Sequence, residues 1–394
     1  MSITEVTNVG MGSRLKDSIG GVFFGIVLCA VSVVGLFWNE GRAVKRYQTL
    51  KQGQEIVISV PADAVDAANE GQLVHLTGNS KVESGPLTDS LFGITQEGVV
   101  KLKRRVEMYQ WVETKRTKEK DQVGGGQRKE TTYTYSKEWR EKPVSSDNFK
   151  EKAGHQNPAS MPFRSETQSA STVKLGDFRL SPSLVGKLNK SDPIAIDSLE
   201  SATDPTAKNG KLHGGGVYIG QNPASPQIGD IRVEFSVVRE GPVSLVAQQV
   251  GDSFVTYQLE KGSIELLAEA PKSAEEMFAD AHRSNKMLTW GLRGGGFAVL
   301  AAGIGLILRP LRVVAGVLPF LGRMVGSGLG IAAMLLSAVI SFVVIAISWI
   351  FHRPVIGIIL LVLAVALVVV LVRRSRKAEP ASAAPAGTPP PMDF

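Results

Sequence analysis

Apolar positions in this chain fall into four long runs separated by one very long polar interval. Gly20–Trp38 (GGVFFGIVLCAVSVVGLFW) is the first run. The other three are crowded into the last third: Gly294–Leu308, Gly326–Phe351 and Val355–Val372. Arg309-Pro310 and His352-Arg353-Pro354 separate them, and Arg373-Arg374-Ser375-Arg376-Lys377 closes the series. A helix that crosses a bilayer needs ~20 mostly apolar residues. The third and fourth runs meet this alone. The second reaches it by including Met287–Leu292, which places Arg293 near an interface where a long cationic side chain can snorkel. The pattern predicts transmembrane helices at 20–38, 290–308, 326–351 and 355–372.

Between the first two spans the period shortens. Glu55–Val60 and Leu73–Thr77 alternate or run apolar as strands do, bounded by Pro61, Gly71 and Gly78. Val99–Glu113 and Thr131–Trp139 flank a charged stretch containing Gly124-Gly125-Gly126, which predicts a long two-stranded ribbon with its tip at 117–129. Asp230–Arg239, Ser253–Leu259 and Ile264–Leu267 add strands, and 143–210, rich in Ser, Pro, Asn and Lys, reads as loops over a smaller core. From Pro271 the period becomes helical. Ser273-Ala274-Glu275-Glu276 has the spacing of a capping box, and Met277, Ala281, Ser284 and Leu288 then share one face of a helix over 271–289 that leads into the second span and stops at Pro310.

The expected fold is therefore an α+β membrane protein: four transmembrane helices with a large, mainly-β extracytoplasmic domain (39–270) inserted between the first and second. Residues 1–19 form a polar N-terminal segment without a long apolar pattern, 309–325 a basic interfacial segment, and 373–394 a disordered, Ala/Pro-rich cytoplasmic tail. A cleaved signal peptide is the rival reading of the first run. It is longer than an ordinary signal core, and it exits through Phe37-Trp38 into Asn39-Glu40-Gly41-Arg42 with no small-residue cleavage site, so an uncleaved anchor is expected.

Charge sharpens the topology. The net charge is +7, yet the insert Gly41–Thr289 carries 33 basic and 32 acidic residues and is nearly neutral. The excess lies at the membrane flanks, which argues against a nucleic-acid partner. Arg309, Arg312 and Arg323 occupy one short loop without an acid, and four of the five residues from Arg373 to Lys377 are basic. The positive-inside bias puts this loop, the tail and the N-terminus in the cytoplasm and the insert on the other side. Arg42, Lys45 and Arg46 just past the first span pull the other way. Cys29 is alone, so no intrachain disulfide is possible.

Candidate chemistry is sparse. The histidines at 75, 155, 213, 282 and 352 are too scattered in sequence to signal a metal site, and neither a metal nor another cofactor is expected. His213-Gly214-Gly215-Gly216 resembles an esterase oxyanion loop, but no G-x-S-x-G elbow accompanies it, so a turn is expected; Gly124–Gly126 likewise lacks a following G-K-[ST]. No Asp, Glu, Lys or His lies centrally in any apolar run, unlike the usual proton- or ion-coupled transporter. Small residues do occur at packing spacing: Gly21 and Gly25 in the first span, Gly326 and Gly330 in the third. They serve either packing within the bundle or self-association. Arg309, Arg312 and Arg323 are candidates for binding lipid headgroups.

Several stretches together resemble the transmembrane protein 43 (LUMA) family: Phe37–Val44 (FWNEGRAV), Val106–Glu113 (VEMYQWVE), Tyr133–Arg140 (YTYSKEWR), Gly154–Pro162 (GHQNPASMP), Ile228–Ser236 (IGDIRVEFS) and Phe351–Pro354 (FHRP). They occur in the family's order across most of the chain. The resemblance implies four spans, cytoplasmic termini and a large lumenal domain. Animal members are associated with the endoplasmic reticulum, the inner nuclear membrane and membrane organisation through lamins and emerin. In a bacterial owner the counterpart would be the inner membrane. The family brings no catalytic residues. The function expected is a non-enzymatic membrane scaffold whose partners are membrane lipid, other copies of itself and unidentified membrane proteins. The alternatives are a membrane-bound enzyme accessory with dispersed residues such as His155 or His213, or a lipid-organising protein.

Overall fold

The computed structural model describes residues 2–315, 319–352 and 359, with the side chains of 319–326 excepted. The expected fourth span and the tail lie, apart from Ile359, outside the described residues. Among the described residues there are six α-helices: α1 (Met11–Ile56), α2 (Pro182–Lys187), α3 (Pro205–Lys208), α4 (Ala274–Ile307), α5 (Arg309–Ala315) and α6 (Pro319–His352). Three contain stretches long and apolar enough to cross a membrane: α1, α4 and the Ser327–His352 part of α6.

The helices do not stop at the ends of their apolar runs. α1 continues for 46 residues and α4 for 34, so both leave the apolar zone as helix and enter the β domain. There Leu50 of α1 and Met277 and Phe278 of α4 join Leu73, Val246 and Ile264 in a buried cluster. The predicted capping box is formed: Ser273 accepts from the Glu276 amide, and the Glu276 side chain accepts from the Ser273 amide. Pro310 falls in the first turn of α5, where the missing amide donor costs nothing. One expected strand is corrected here: Glu55 and Ile56 belong to α1, and of the rest only Ile58–Ser59 pairs as a strand. The favourable amphipathic continuation of α1 onto the Leu50 cluster outweighs a short β-prone run.

Among the described residues two large sheets and two small two-stranded hairpins make up the domain. In the first, Ile231–Arg239 lies between Val99–Asp121 and Gly216–Ile219, all antiparallel, over a core that includes Phe92, Val106, Met108, Val233 and Phe235. In the second, Pro242–Val250 pairs with both Ser253–Val255 and Leu73–Val82. Through Val173–Leu175 and Phe178–Arg179 this closes five strands into a ring around Val74, Leu175, Phe178, Leu245 and Phe254. Closure removes free edges. Pro242–Val250 has no counterpart in the sequence-based strands because it is buried on both faces and shows no clean alternation. The stretch 143–210, expected as loops, also contributes short strands and α2 and α3.

The ribbon is longer than expected. Val99–Asp121 pairs with Gln127–Arg140 in unbroken register from Met108↔Arg140 to Asp121↔Gln127. Gly124 and Gly125 have φ of +85° and +80°, which the turn requires. Residues 1–19 need a larger correction. Ser2–Val9 is a strand that pairs antiparallel with Gln127–Thr134, from Ser2↔Thr134 to Val9↔Gln127, and α1 starts at Met11. The N-terminus is thus the third strand of the ribbon. Its partner lies so far along the chain that no local pattern revealed the pairing.

A candidate functional site at the junction of bundle and β domain

The helix α1 leaves its apolar zone through Asn39, Glu40, Gly41 and Arg42. On α4, Asn285, Thr289 and Arg293 recur every four residues and so line one face. Near its end α6 carries Ser348, Trp349 and His352. The three sets meet. The Glu40 carboxylate, 2% exposed, accepts hydrogen bonds from Arg293 Nε and Nη2, each at 2.7 Å, and from Trp349 Nε1 at 2.7 Å. The Arg293 guanidinium lies 4.7 Å from the centre of the Trp290 ring and 5.7 Å from that of Trp349. Bidentate geometry and aromatic faces suit a partly desolvated guanidinium. Arg293, expected to snorkel towards water, is instead 16% exposed and tied across the bundle to Glu40.

A second layer surrounds this pair. Asn39 Nδ2 donates to the Thr289 carbonyl (3.2 Å); Arg42 donates to Asn285 Oδ1 (3.1 Å), Asn39 Oδ1 (3.2 Å) and Thr289 Oγ1 (3.1 Å). Asn285 Nδ2 donates to the Ala43 carbonyl (3.0 Å), and Ser348 Oγ to the Phe37 carbonyl (3.1 Å). A Cβ on Gly41 would sit 2.6 Å from His352 Nε2, so only glycine lets α6 approach here. A space of about 560 Å³ opens beside the pair, bordered by Tyr47, His282, Trp290 and Trp349. Burial, then the nearby charge of Arg46, pushes the His282 imidazole below its ordinary pKa of 6.5.

Deeper along the helices, close packing replaces polar contacts. A Cβ on Gly25 would lie 2.6 Å from the Gly303 carbonyl oxygen, and one on Gly303 2.8 Å from Cys29 Sγ. Gly21 faces Leu306, 3.9 Å from the position a Cβ would take. The first small-residue pair therefore packs α1 on α4 within the chain. Gly330 on α6 has open space around it, while Gly326 and Arg323 lie where side chains fall outside the description. Arg309 and Arg312 rim a space of about 530 Å³ at the opposite end of the bundle, together with Arg14, Glu119 and Asp121.

The two histidines weighed for chemistry lie elsewhere. His155 is buried, stacked on Tyr135 (4.0 Å between ring centres) and edge-on to Trp111 (4.6 Å), with Nδ1 lacking a hydrogen-bond partner. Beside it, Asn157 exchanges hydrogen bonds with the Trp111 backbone (2.7 and 2.9 Å) and pins the ribbon base. His213 is exposed at a hairpin whose Gly214 and Gly215 have positive φ, as expected of a turn. Among the described residues no three His, Cys, Asp or Glu side chains converge as a metal-binding group would. Sequence reasoning missed the junction because its parts sit at the ends of separate spans, 253 residues apart for Glu40 and Arg293.

Apolar helices that pass without a break into a β-rich head, cross-braced by a buried ion pair, define a transmembrane protein with a rigidly mounted soluble domain. The chain belongs to the transmembrane protein 43 family: the family model "Transmembrane protein 43" matches residues 108–354. Rat Transmembrane protein 43 is 35% identical over 366 residues, 90% of each chain. The human protein is 35% identical over 379 residues, covering 93% of this chain and 92% of its own. The Drosophila melanogaster homolog is 33% identical over 342 residues, 85% and 89% of the two chains. No solved structure matches. The stretches that first pointed to the family have visible roles: FWNEGRAV and the start of FHRP meet at the junction, where Phe37 packs on Phe351 and His352, and GHQNP pins the ribbon. The pair VEMYQWVE and YTYSKEWR builds the ribbon itself.

Proposed function

We propose that the chain is a non-enzymatic membrane scaffold that organises membrane protein complexes through self-association and partner binding. The observation that carries this is the ribbon. Its base is part of the domain, where Ile231 pairs with Met108. Its tip is held at the far end of the bundle, where Arg14 donates to the Gly125 carbonyl (2.7 Å) and pairs with Asp121 (2.7 Å). In the orientation favoured by charge, with the Arg309 loop cytoplasmic and the head on the other side, the ribbon passes the depth of the bilayer beside the spans. Among the described residues its outer edges, Ser2–Val9 and, beyond the Trp111 that Asn157 caps, 112–121, each pair with a strand on one side only. Lipid does not tolerate an open, polar sheet edge. A protein surface beside the ribbon, from a second copy or a partner, satisfies those backbone groups as strand addition does.

Extraction in a lipid-preserving polymer, followed by mass and composition analysis, tests this. A homo-oligomer or a stoichiometric second protein is expected. Deleting the ribbon tip should dissolve that particle while the domain stays folded; a bare monomer from the intact chain would reject the scaffold. Arg309 and Arg312 on one rim favour a second reading, lipid organisation through Arg309, Arg312 and Arg323. Lipid co-purification unaffected by neutralising all three sinks it.

A further inference from the structure

On the face of α1 opposite Glu40 lies a different kind of space. Val34, Phe37 and Trp38 form its membrane-side wall, and Trp38, 61% exposed, marks the level of an interfacial aromatic. Beyond them the lining turns basic: Arg42, Lys45 and Arg46 from α1, and Lys261 from the turn between Tyr257–Leu259 and Gly262–Ile264. His352 completes the wall, and among the described residues no carboxylate lines it. The volume is about 660 Å³, within the range of small-molecule sites.

The cations are held in place without being neutralised. The hairpin bearing Lys261 is pressed onto α1, since a Cβ on Gly262 would meet Thr49 Oγ1 at 2.9 Å and one on Gly53 would meet Ile264 at 2.1 Å. Arg46 donates to the Ser263 carbonyl at 2.7 Å. Arg42 spends its terminal nitrogens on Asn39, Asn285 and Thr289, while its buried Nε has no hydrogen-bond partner. Lys45 and Lys261 are exposed, and neither ammonium group has a partner among the described residues. Like charges at Arg42 and Arg46, four apart on a helix, repel. Such a cluster is stabilised by an anion, and its apolar wall selects one attached to hydrocarbon.

We propose that this cleft binds an anionic phospholipid at the end of the bundle nearest the β domain, the phosphate among Lys45, Lys261 and Arg42 and an acyl chain along Val34, Phe37 and Trp38. The site is separate from the arginines of the 309–323 segment and does not depend on the scaffold reading. The test is native mass spectrometry of the delipidated full chain in detergent, titrated with phosphatidylglycerol and with phosphatidylcholine of the same acyl chains. Tighter binding of phosphatidylglycerol is expected, with an excess of inorganic phosphate failing to displace it. The double variant K45Q/K261Q should weaken that binding about thirtyfold. Neither side chain supports the fold, and K45R/K261R should restore affinity. Equal binding of the two lipids, or a preference that survives K45Q/K261Q, overturns the proposal. A preference lost instead in R309Q/R312Q moves the site to the other end, and displacement by phosphate makes it a site for free anions; both also overturn it.

Discussion

The two ends of the helix bundle hold their charges to different degrees. At the domain end, Glu40 and Arg293 are withdrawn from water, paired through two hydrogen bonds and braced by Trp349 and Trp290. At the far end, Arg14 and Asp121 pair at the ribbon tip, while Arg309 and Arg312 stand at the rim of an open space. A buried pair contributes little net attraction after desolvation, but losing one partner strands the other in a poor solvent. The domain end is therefore a joint with one permitted geometry. The far end is less sequestered: Asp121, 23% exposed, keeps more access to water than Glu40, and the pair borders an open space.

The contrast can be broken most forcefully at Glu40. E40A leaves the Arg293 guanidinium unpaired and should lower stability by about 3–5 kcal/mol, read by thermal unfolding in detergent. E40M/R293M removes both charges and should recover much of that loss; a double variant as damaged as the single one would show that the pair is not acting as a unit. Next in size is G41A, which forces a methyl group against His352 and should cost about 1–3 kcal/mol by the same assay. R14A removes a half-buried pair and the bonds to the Gly125 and Gly126 carbonyls, and should cost about 1–2 kcal/mol, less than E40A. Its signature is local: faster hydrogen exchange in residues 2–9 and 119–127, with the junction unchanged.

The smallest effect concerns pH. His282 has its pKa lowered in the folded state by burial and by Arg46. The unfolded chain therefore binds a proton that the folded one resists, so this contribution is present above the ordinary pKa of 6.5 and is lost as pH falls below it. H282N should flatten the stability profile between pH 7 and 5 (about two units around the reference value). An unchanged slope would remove His282 from the account.

The same contrast explains what could be read from the sequence. Three of the expected spans, the ribbon and the Ser273–Glu276 cap are local: each is written in consecutive residues by period, turn glycines or a fixed spacing. The small-residue spacing around Gly25 was visible too, but its partner surface at Gly303 was not. Everything that joins distant segments stayed hidden. Ser2–Val9 has the residues of a strand but no neighbour to pair with in its own stretch of chain. Pro242–Val250, buried on both faces, lacks the alternation that marks a half-exposed strand. Asn39, Glu40 and Arg42 read as a polar exit from a span, because nothing in that stretch shows the matching set on α4.

The N-terminal strand also constrains how the molecule is made. Residues 2–9 leave the ribosome well before the ribbon, since Thr4 meets a partner, Thr132, that lies 128 residues further on. Throughout that interval the strand waits unpaired while α1 is already available for insertion. Glu5 and the interspersed Thr and Asn make this nascent edge a poor template for pairing with other copies. The waiting strand and the late ribbon must also come to lie side by side along the bundle. Topogenesis and sheet formation are thereby coupled: a chain whose first helix inserts with its N-terminus on the wrong side loses not only its orientation but the third strand of its own ribbon.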